Sequence, residues 1–207
     1  IHKEIVLLET QGYQIVMIGH EGHPEVEGTA GQLQDISKLT LVQELNDVEQ
    51  LYFPSDQKIA YITQTTLSVF DTQEIVDALE KKFPEILAPK KSDICYATSN
   101  RQTSVQEMAK KVNAFFIIGA FNSSNSIRLV ETAKKFGCEY SELIENIDDF
   151  DFQKLNQFQS IGLTASASAP EDQLNLFIDR AKENFSPEVV DYKEDENIVF
   201  KVPNFLN

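Results

Sequence analysis

Positive charge is scarce in this sequence. Its 207 residues include 18 Lys and Arg against 33 Asp and Glu, which gives a formal net charge of −15 at pH 7. A surface of this sign repels the phosphates of nucleic acids and anionic lipids, so we expect neither a nucleic acid nor a membrane as a partner. A small anion can still bind where helix N-termini produce a local field of the opposite sign.

Cysteine and long apolar runs are scarce as well. Two cysteines, Cys95 and Cys138, do not make a disulfide framework, which favours a reducing setting such as the cytoplasm or an organelle stroma. The longest apolar stretch, AFFIIGAF at 114–121, has the length of a buried strand, whereas a membrane span needs about 20 residues. The chain starts with Ile rather than Met, so we expect it to be part of a longer polypeptide.

Three common site motifs are missing. No GxGxxG opens a helix, no GxxxxGK[ST] occurs, and no GxSxG elbow is present. The sequence therefore lacks the fingerprints of a dinucleotide site, a P-loop and an α/β-hydrolase nucleophile.

One pattern recurs four times: an apolar run, a small polar loop and an amphipathic helix. The runs are YQIVMIG, QKIAYITQ, NAFFIIGA and QSIGLTAS. Strands that alternate with helices predict an α/β fold with parallel sheets flanked by helices, and continuous apolar strands predict cover on both faces. We expect two similar units, at 1–92 and 93–185, with a linker near 83–93. The tail, 186–207, contains ENIVFKVP and is predicted to add one more strand.

The loops that follow these strands are rich in hydroxyl and amide groups. In parallel α/β sheets ligands bind at the carboxyl ends of the strands, where these loops lie. A single cluster of this kind is typical of a helix cap, but several that face one another would form an anion site without Lys or Arg. The groups concerned are Thr63, Thr65, Thr66, Ser68, Asn122, Ser123, Ser124, Asn125, Ser126, Thr164, Ser166 and Ser168.

The two cysteines differ in their setting. Cys95 precedes a Thr-Ser-Asn cluster, and the helix after it is predicted to begin near 100–102. Cys138 follows Gly137, which is predicted to end a helix, and we interpret it as a core thiol.

The loop GHEGHPEVEG allows three interpretations. His20 and His23 next to Glu25 suggest zinc, although the pair is not on one helical face and no third strong ligand is adjacent. The second interpretation is a solvated acidic loop. In the third, a histidine and a carboxylate move a proton or hold a polar substrate.

Five motifs in order carry a resemblance to a known family. GHEGHPEVEGTAGQ, YITQTTLSVFDT, DICYATSNRQ, NSSNSIRL and TASASAP closely resemble segments of the LytB family of 4-hydroxy-3-methylbut-2-enyl diphosphate reductases. The starting IHKE resembles the segment after the family's second cysteine, and ENIVFKVP resembles its C-terminus. The resemblance therefore covers essentially the whole chain.

The resemblance implies an activity and a cofactor. The family completes non-mevalonate isoprenoid biosynthesis by reductive dehydroxylation, which gives isopentenyl and dimethylallyl diphosphates. It uses a 4Fe–4S cluster held by three cysteines, with electrons from a ferredoxin or flavodoxin. Its members have three similar α/β units around a central cavity, of which this chain would supply the second and third. The tail would then contact an N-terminal unit missing from this chain.

The resemblance also assigns site residues. Cys95 matches the third cluster ligand, and Glu25 matches the proton source. His23, in its charged form, is expected to help neutralise the diphosphate. The other substrate-binding matches are Thr65, Ser123, Ser124, Asn125 and Ser168.

Two departures from the family pattern bear on these expectations. In the first, Ser166 stands where the family has a glycine. In the second, this chain lacks the family's N-terminal region, which contains the first two cluster cysteines and two histidines that bind substrate. Two alternatives to a reductase therefore stay open: a cluster-free module that binds diphosphate, and a zinc-dependent hydrolase.

Overall fold

The computed structural model describes residues 1–90 and 93–190. The predicted tail strand at 196–203 lies outside these residues. Within the described part, no helix is long and apolar enough to cross a membrane.

The described chain contains two three-stranded parallel sheets. The first has the strand order β2-β1-β3 and the second the order β5-β4-β6. The elements in chain order are α1 His2–Thr10, β1 Gln14–Ile18, α2 Pro24–Ala30, a 3-10 turn Ile36–Lys38, β2 Leu39–Val42, α3 Leu45–Gln50, β3 Ile59–Thr63, α4 Val69–Lys82, α5 Tyr96–Ala109, β4 Ala114–Ile118, α6 Ser124–Lys135, β5 Tyr140–Ile144, 3-10 turns Ile147–Asp149 and Phe152–Gln157, β6 Ile161–Ala165 and α7 Glu171–Asn184. The parallel pairing confirms the predicted α/β fold.

The two sheets repeat one local design. Each central strand, β1 or β4, is buried and is followed by a glycine and then a helix that is capped by His23 or Ser123. The pairing is equivalent too, since Ile18 lies opposite Thr63 and Ile118 opposite Ala165. The loops after the strands therefore leave the same edge of each sheet. The boundary between residues 92 and 93 stays a prediction.

Apolar side chains cover both faces of each sheet. In the second sheet, Phe116 packs in an aromatic cluster with Phe150, Phe158 and Phe177 on one face. Residues on the other face of β4 pack with α5 and α6, together with the fully buried Cys138. The interpretation of Cys138 as a core thiol is confirmed. Burial raises the pKa of this thiol, as an apolar site disfavours the thiolate.

The helix after Cys95 begins earlier than the sequence predicts. It begins at Tyr96 rather than near 100–102, and Cys95 is its N-cap residue. The Thr-Ser-Asn cluster after Cys95 lies inside this helix, where Ser99 Oγ donates to the carbonyl of Tyr96 at 3.0 Å. Such backbone bonds let Ser and Thr lie within a helix. The earlier start brings Cys95 to the helix N-terminus.

Candidate functional site

The polar loops meet where the two sheets approach each other. The Thr66 hydroxyl, after β3 of the first sheet, donates to Ser124 Oγ, after β4 of the second, at 3.1 Å. The Cys95 N–H donates to the carbonyl of Thr65 at 3.0 Å. Loops from both sheets and the start of α5 thus share one site.

Glu25 is held in place by Thr65. Its Oε1 accepts from the Thr65 N–H at 2.8 Å, and its Oε2 accepts from the Thr65 hydroxyl at 3.0 Å. Two hydrogen bonds to one residue fix the carboxylate plane, although the side chain stays only half-buried. An open depression of about 410 Å³ borders this pair, and its lining includes Glu25, Thr29 and Thr65.

His23 caps the helix that carries Glu25. Its Nδ1 accepts from the Glu25 N–H at 3.2 Å. An accepting Nδ1 carries no proton, so this geometry requires the neutral imidazole with its proton on Nε2. The expected charged His23 therefore differs from the geometry found, in which the ring can donate one hydrogen bond from Nε2.

Cys95 lies exposed at the start of α5. The nearby Asp93 accepts from the Thr63 N–H at 2.9 Å, which joins the segment before Cys95 to the end of β3. Burial of Asp93 raises the pKa of its carboxyl above the ordinary value, against the opposing effect of the Thr63 hydrogen bond. The backbone at Cys95 and the Glu25 carboxylate are thus both held by the segment 63–65.

The start of α6 holds three of the predicted anion-binding residues. Ser123 is the N-cap, and its Oγ accepts from the Ser126 N–H at 3.4 Å. Asn125 is 5% exposed, yet neither atom of its amide has a hydrogen-bond partner within residues 1–90 and 93–190. A buried unpaired polar group costs about 1–3 kcal/mol. Bonds to a ligand at this helix N-terminus would remove that cost.

The loop after β6 contributes Ser168 and the unusual Ser166. Ser168 is exposed, and its Oγ lies 3.3 Å from Oγ of the buried Ser166. Gly119 faces them, and a Cβ there would lie 2.3 Å from Ser126 Oγ and 2.8 Å from Ser166 Oγ. The missing side chain of Gly119 leaves room for both hydroxyls, so the loop accommodates serine at position 166.

Sequence reasoning assigned no role to Gln64 or Arg128. Gln64 is fully buried and bonded at both amide atoms. The Arg128 guanidinium contacts His20 and Glu131. Its position four residues after Ser124 was the available signal, because residues four apart share a helical face. A cation therefore lies beside the loop of His20, while the expectation of an anion site built without Lys or Arg stays a prediction.

The described residues do not assemble a metal site by themselves. Within residues 1–90 and 93–190, no three His, Cys, Asp or Glu side chains lie together as ligands. The zinc alternative needs at least three, and His20 instead faces the Arg128 cation.

Known proteins match this chain closely. A family model described as LytB protein matches residues 1–182. The 4-hydroxy-3-methylbut-2-enyl diphosphate reductases of Ruegeria sp. (strain TM1040) and Ruegeria pomeroyi are 45% and 46% identical over 208 residues. The alignments cover 100% of this chain but 65% of each relative, so the chain spans about two thirds of their length.

A solved structure agrees with these matches. The E-1-hydroxy-2-methyl-but-2-enyl-4-diphosphate reductase from Plasmodium falciparum is 33% identical and superposes with a TM-score of 0.87. The superposition covers 99% of this chain and 65% of that protein.

Proposed function

The chain belongs to the LytB protein family, and from this we propose that it forms the substrate-binding part of a 4-hydroxy-3-methylbut-2-enyl diphosphate reductase. The relatives that bear this name match along the whole chain. The structural observation that carries the proposal is the joining of Glu25 and Cys95 through Thr65. A proton donor and a metal ligand then lie at one substrate position.

The proposed reaction replaces a C–O bond by a C–H bond. The substrate takes up two electrons and two protons, its hydroxyl leaves as water, and isopentenyl or dimethylallyl diphosphate remains. The hydroxide is a poor leaving group unless it is protonated, so the site needs a proton donor beside the substrate oxygen.

Glu25 is the proposed proton source. Its carboxyl lies at the open depression, and the Thr65 hydroxyl that bonds to it is the group proposed to contact the substrate hydroxyl. Once protonated, Glu25 can give its proton to the leaving oxygen directly. A route through Thr65 requires its hydroxyl, which donates to Glu25 Oε2 in the structure, to turn its hydrogen toward the leaving oxygen and accept from Glu25 instead.

The diphosphate is proposed to bind at the start of α6. Ser123, Ser124 and Asn125 lie at the first turn of this helix, where free N–H groups favour an anion. Ser168 and the Nε2–H of His23 would add donors from neighbouring loops. In this way neutral donors offset the protein's negative charge, as phosphate sites at helix N-termini commonly do.

Cys95 suits one ligand position of a 4Fe–4S cluster. Its thiol is exposed and stands at the positive end of a helix, which favours a ligand that binds as an anion. When bound, such a cluster would supply electrons and an open Lewis-acid position for the substrate oxygen. We propose that the other two cysteines come from an N-terminal unit outside these 207 residues, and that a ferredoxin or flavodoxin is the donor.

The proposed whole protein has three similar units around the site, of which 1–92 and 93–185 are two. The tail 186–207 would contact the remaining unit. A cytoplasmic or organelle-stroma location fits a cluster that needs reduced thiols.

A cluster-free diphosphate-binding module is the second candidate for the isolated chain. One observation favours it: the described residues place a single cysteine at the site, and one thiolate does not hold a cluster. The unpaired Asn125 amide would still offer an anion its hydrogen bonds.

One experiment separates the two candidates. The full-length protein and the 207-residue chain are each reconstituted with iron and sulfide without oxygen, then assayed for broad absorbance near ~400 nm, reductase turnover and diphosphate binding. The reductase proposal expects all three in the full-length protein. The reductase proposal is refuted if the reconstituted full-length protein shows neither the absorbance nor turnover.

A further inference from the structure

Gln64 connects three loops of the site through its side chain. It is fully buried directly after β3. Its Oε1 accepts from the backbone N–H of His20 at 3.1 Å, and its Nε2 donates to Thr66 Oγ1 at 3.0 Å. The Thr66 hydroxyl in turn reaches Ser124 Oγ at 3.1 Å. A continuous chain of hydrogen bonds thus runs from the loop after β1 to the start of α6.

The direction of this chain is determined at its first link. A backbone N–H only donates, so the group of Gln64 that faces His20 is its oxygen, and its NH2 faces Thr66. An amide NH2 also only donates, so Thr66 Oγ1 accepts and turns its own proton toward Ser124. Ser124 Oγ accepts this hydrogen bond, so its own O–H remains available to donate to another partner.

That partner is expected to be an anion. Ser124 lies in the first turn of α6, next to the buried and unpaired amide of Asn125. A diphosphate oxygen only accepts hydrogen bonds, so it binds Ser124 well when the hydroxyl points toward it as a donor. A serine hydroxyl without this direction would rotate freely, and would lose freedom on binding.

We infer that Gln64 is a positioning residue that aligns the Ser124 hydroxyl as a donor to the substrate diphosphate. The inference rests on the proposed function, which assigns the diphosphate to the start of α6. Gln64 contacts no reacting atom in this assignment. It acts on the substrate only through Thr66 and Ser124. Its bond to the His20 N–H also fixes the position of the loop after β1, which carries His23 three residues later.

The test is a double-mutant cycle in the full-length protein, with inorganic diphosphate as the probe in calorimetric titrations. Gln64→Met keeps the length of the side chain but removes its donor and acceptor. We expect Gln64→Met and Ser124→Ala each to weaken diphosphate binding about tenfold, as a hydrogen bond to a charged group is lost. We expect the double variant to bind no worse than Ser124→Ala alone, because both changes remove one interaction.

Gln102 provides a matched control. It is also fully buried, and its amide also bonds twice across the two sheets, to the Val69 N–H and the Leu67 carbonyl, both at 2.9 Å. It is outside the relay to Ser124. Gln102→Met is therefore expected to lower the melting temperature. If it changes diphosphate binding at all, its effect on the binding free energy should add to that of Ser124→Ala in the double variant. Additive effects of Gln64→Met and Ser124→Ala, or unchanged binding in Gln64→Met, would overturn the inference.

Gln64→Glu gives a second measurement if Gln64→Met does not fold. A carboxylate at this position accepts hydrogen bonds from both His20 and Thr66, so it turns the Thr66 proton away from Ser124. We expect binding relative to wild type to weaken at least tenfold at neutral pH, and to recover as acidification protonates Glu and restores a donor. Taking the ratio to wild type at each pH cancels the pH effects that both proteins share. A ratio that does not change with pH would contradict the relay.

The two proposals fail differently in these measurements. Wild-type protein that binds no diphosphate, or Ser124→Ala with unchanged affinity, refutes the diphosphate site and the relay together. Normal binding that depends on Ser124 but not on Gln64 refutes only the relay.

Discussion

The guanidinium of Arg128 lies against Nε2 of His20, although the two residues are 108 positions apart. The contact joins the loop after β1 to helix α6, and so links the two sheets beside the site. Because a guanidinium only donates, Nε2 must accept, which requires a neutral imidazole. Burial, then the charge of Arg128, hold the pKa of His20 below its ordinary value of 6.5, against a smaller opposing effect of Glu131.

The first prediction concerns this pKa. We expect Arg128→Met to raise the pKa of His20, because a repelling cation is removed, while burial still keeps it low. NMR titration of the imidazole resonances measures it. Arg180→Met is the control, since Arg180 pairs with Asp148 on the surface. A His20 titration that Arg128→Met leaves unchanged would show that the contact does not form in solution.

The same shift predicts how stability varies with pH. The folded state binds a proton at His20 less readily than the unfolded state, so protonation favours unfolding. The His20 contribution to the free energy of unfolding is therefore complete above about pH 6.5 and falls as pH drops toward the folded-state pKa. The pH dependence in this window should weaken in His20→Gln. An equal slope in both proteins would argue against the assignment.

The sequence predicts the fully buried strands better than the half-buried strands β2 and β5. β3 and β4 are buried along their length, so they appear as continuous apolar runs. β2 and β5, LTLV and YSELI, are half-buried at the sheet edges and mix polar with apolar residues. The repeated pattern does not include them, because the polar residues of these half-buried strands interrupt the apolar run.

The residues of the site also differ in how well the sequence predicts their roles. Glu25, Thr65 and Ser124 belong to short motifs in local sequence, so their chemistry could be predicted. The roles of Gln64 and Arg128 depend on partners 44 and 108 positions away, and only the fold brings those partners together. The start of α5 at Tyr96 was missed for another reason: Ser and Thr have a low intrinsic preference for helices, and only the structure shows that the hydroxyls of Ser99 and Ser104 bond to carbonyls within this one.

Cys95→Ser is predicted to prevent assembly of the proposed cluster in the full-length protein. A site with three cysteine ligands has no substitute thiolate, so absorbance near ~400 nm and turnover should both disappear. Cys138→Ser is the matched control: it lies in the core with its Sγ 3.3 Å from the Tyr140 carbonyl, and it should keep the absorbance. A full cluster in Cys95→Ser, by iron and sulfide analysis, would refute the ligand assignment.

Glu25→Gln should lower turnover far more than substrate affinity. The amide can still accept from the Thr65 N–H, so the loop stays in place, but it has no proton to give. Removing a general acid is expected to reduce kcat about 10²-fold or more, with a KM within a few-fold of wild type. Glu27→Gln, on the same helix but exposed, should change neither quantity. Equal kcat in wild type and Glu25→Gln would remove Glu25 from the proton path.

Gly119→Ala tests the crowding between the strand ends of the second sheet. The new methyl group would lie 2.3 Å from Ser126 Oγ and 2.8 Å from Ser166 Oγ, so one or both hydroxyls must move. We expect the free energy of unfolding to fall by about 1–3 kcal/mol, because an extra methyl group in a filled site forces its neighbours out of their preferred positions. Since Ser166 lies beside Ser168, diphosphate binding should weaken as well.

Gly28→Ala is the comparison that makes this result specific. Gly28 lies within α2, and the nearest group to a Cβ there is His2 Nε2 at 4.0 Å, so the methyl group makes an ordinary van der Waals contact and no clash. Alanine in a helix is favoured over glycine by roughly 0.5–1 kcal/mol, and chemical denaturation should show this variant to be more stable than wild type. If Gly119→Ala were stabilising too, the hydroxyls of Ser126 and Ser166 would have room that the structure does not give them. Adding Ser166→Gly to Gly119→Ala should restore part of the lost stability, because it removes one of the two contacts.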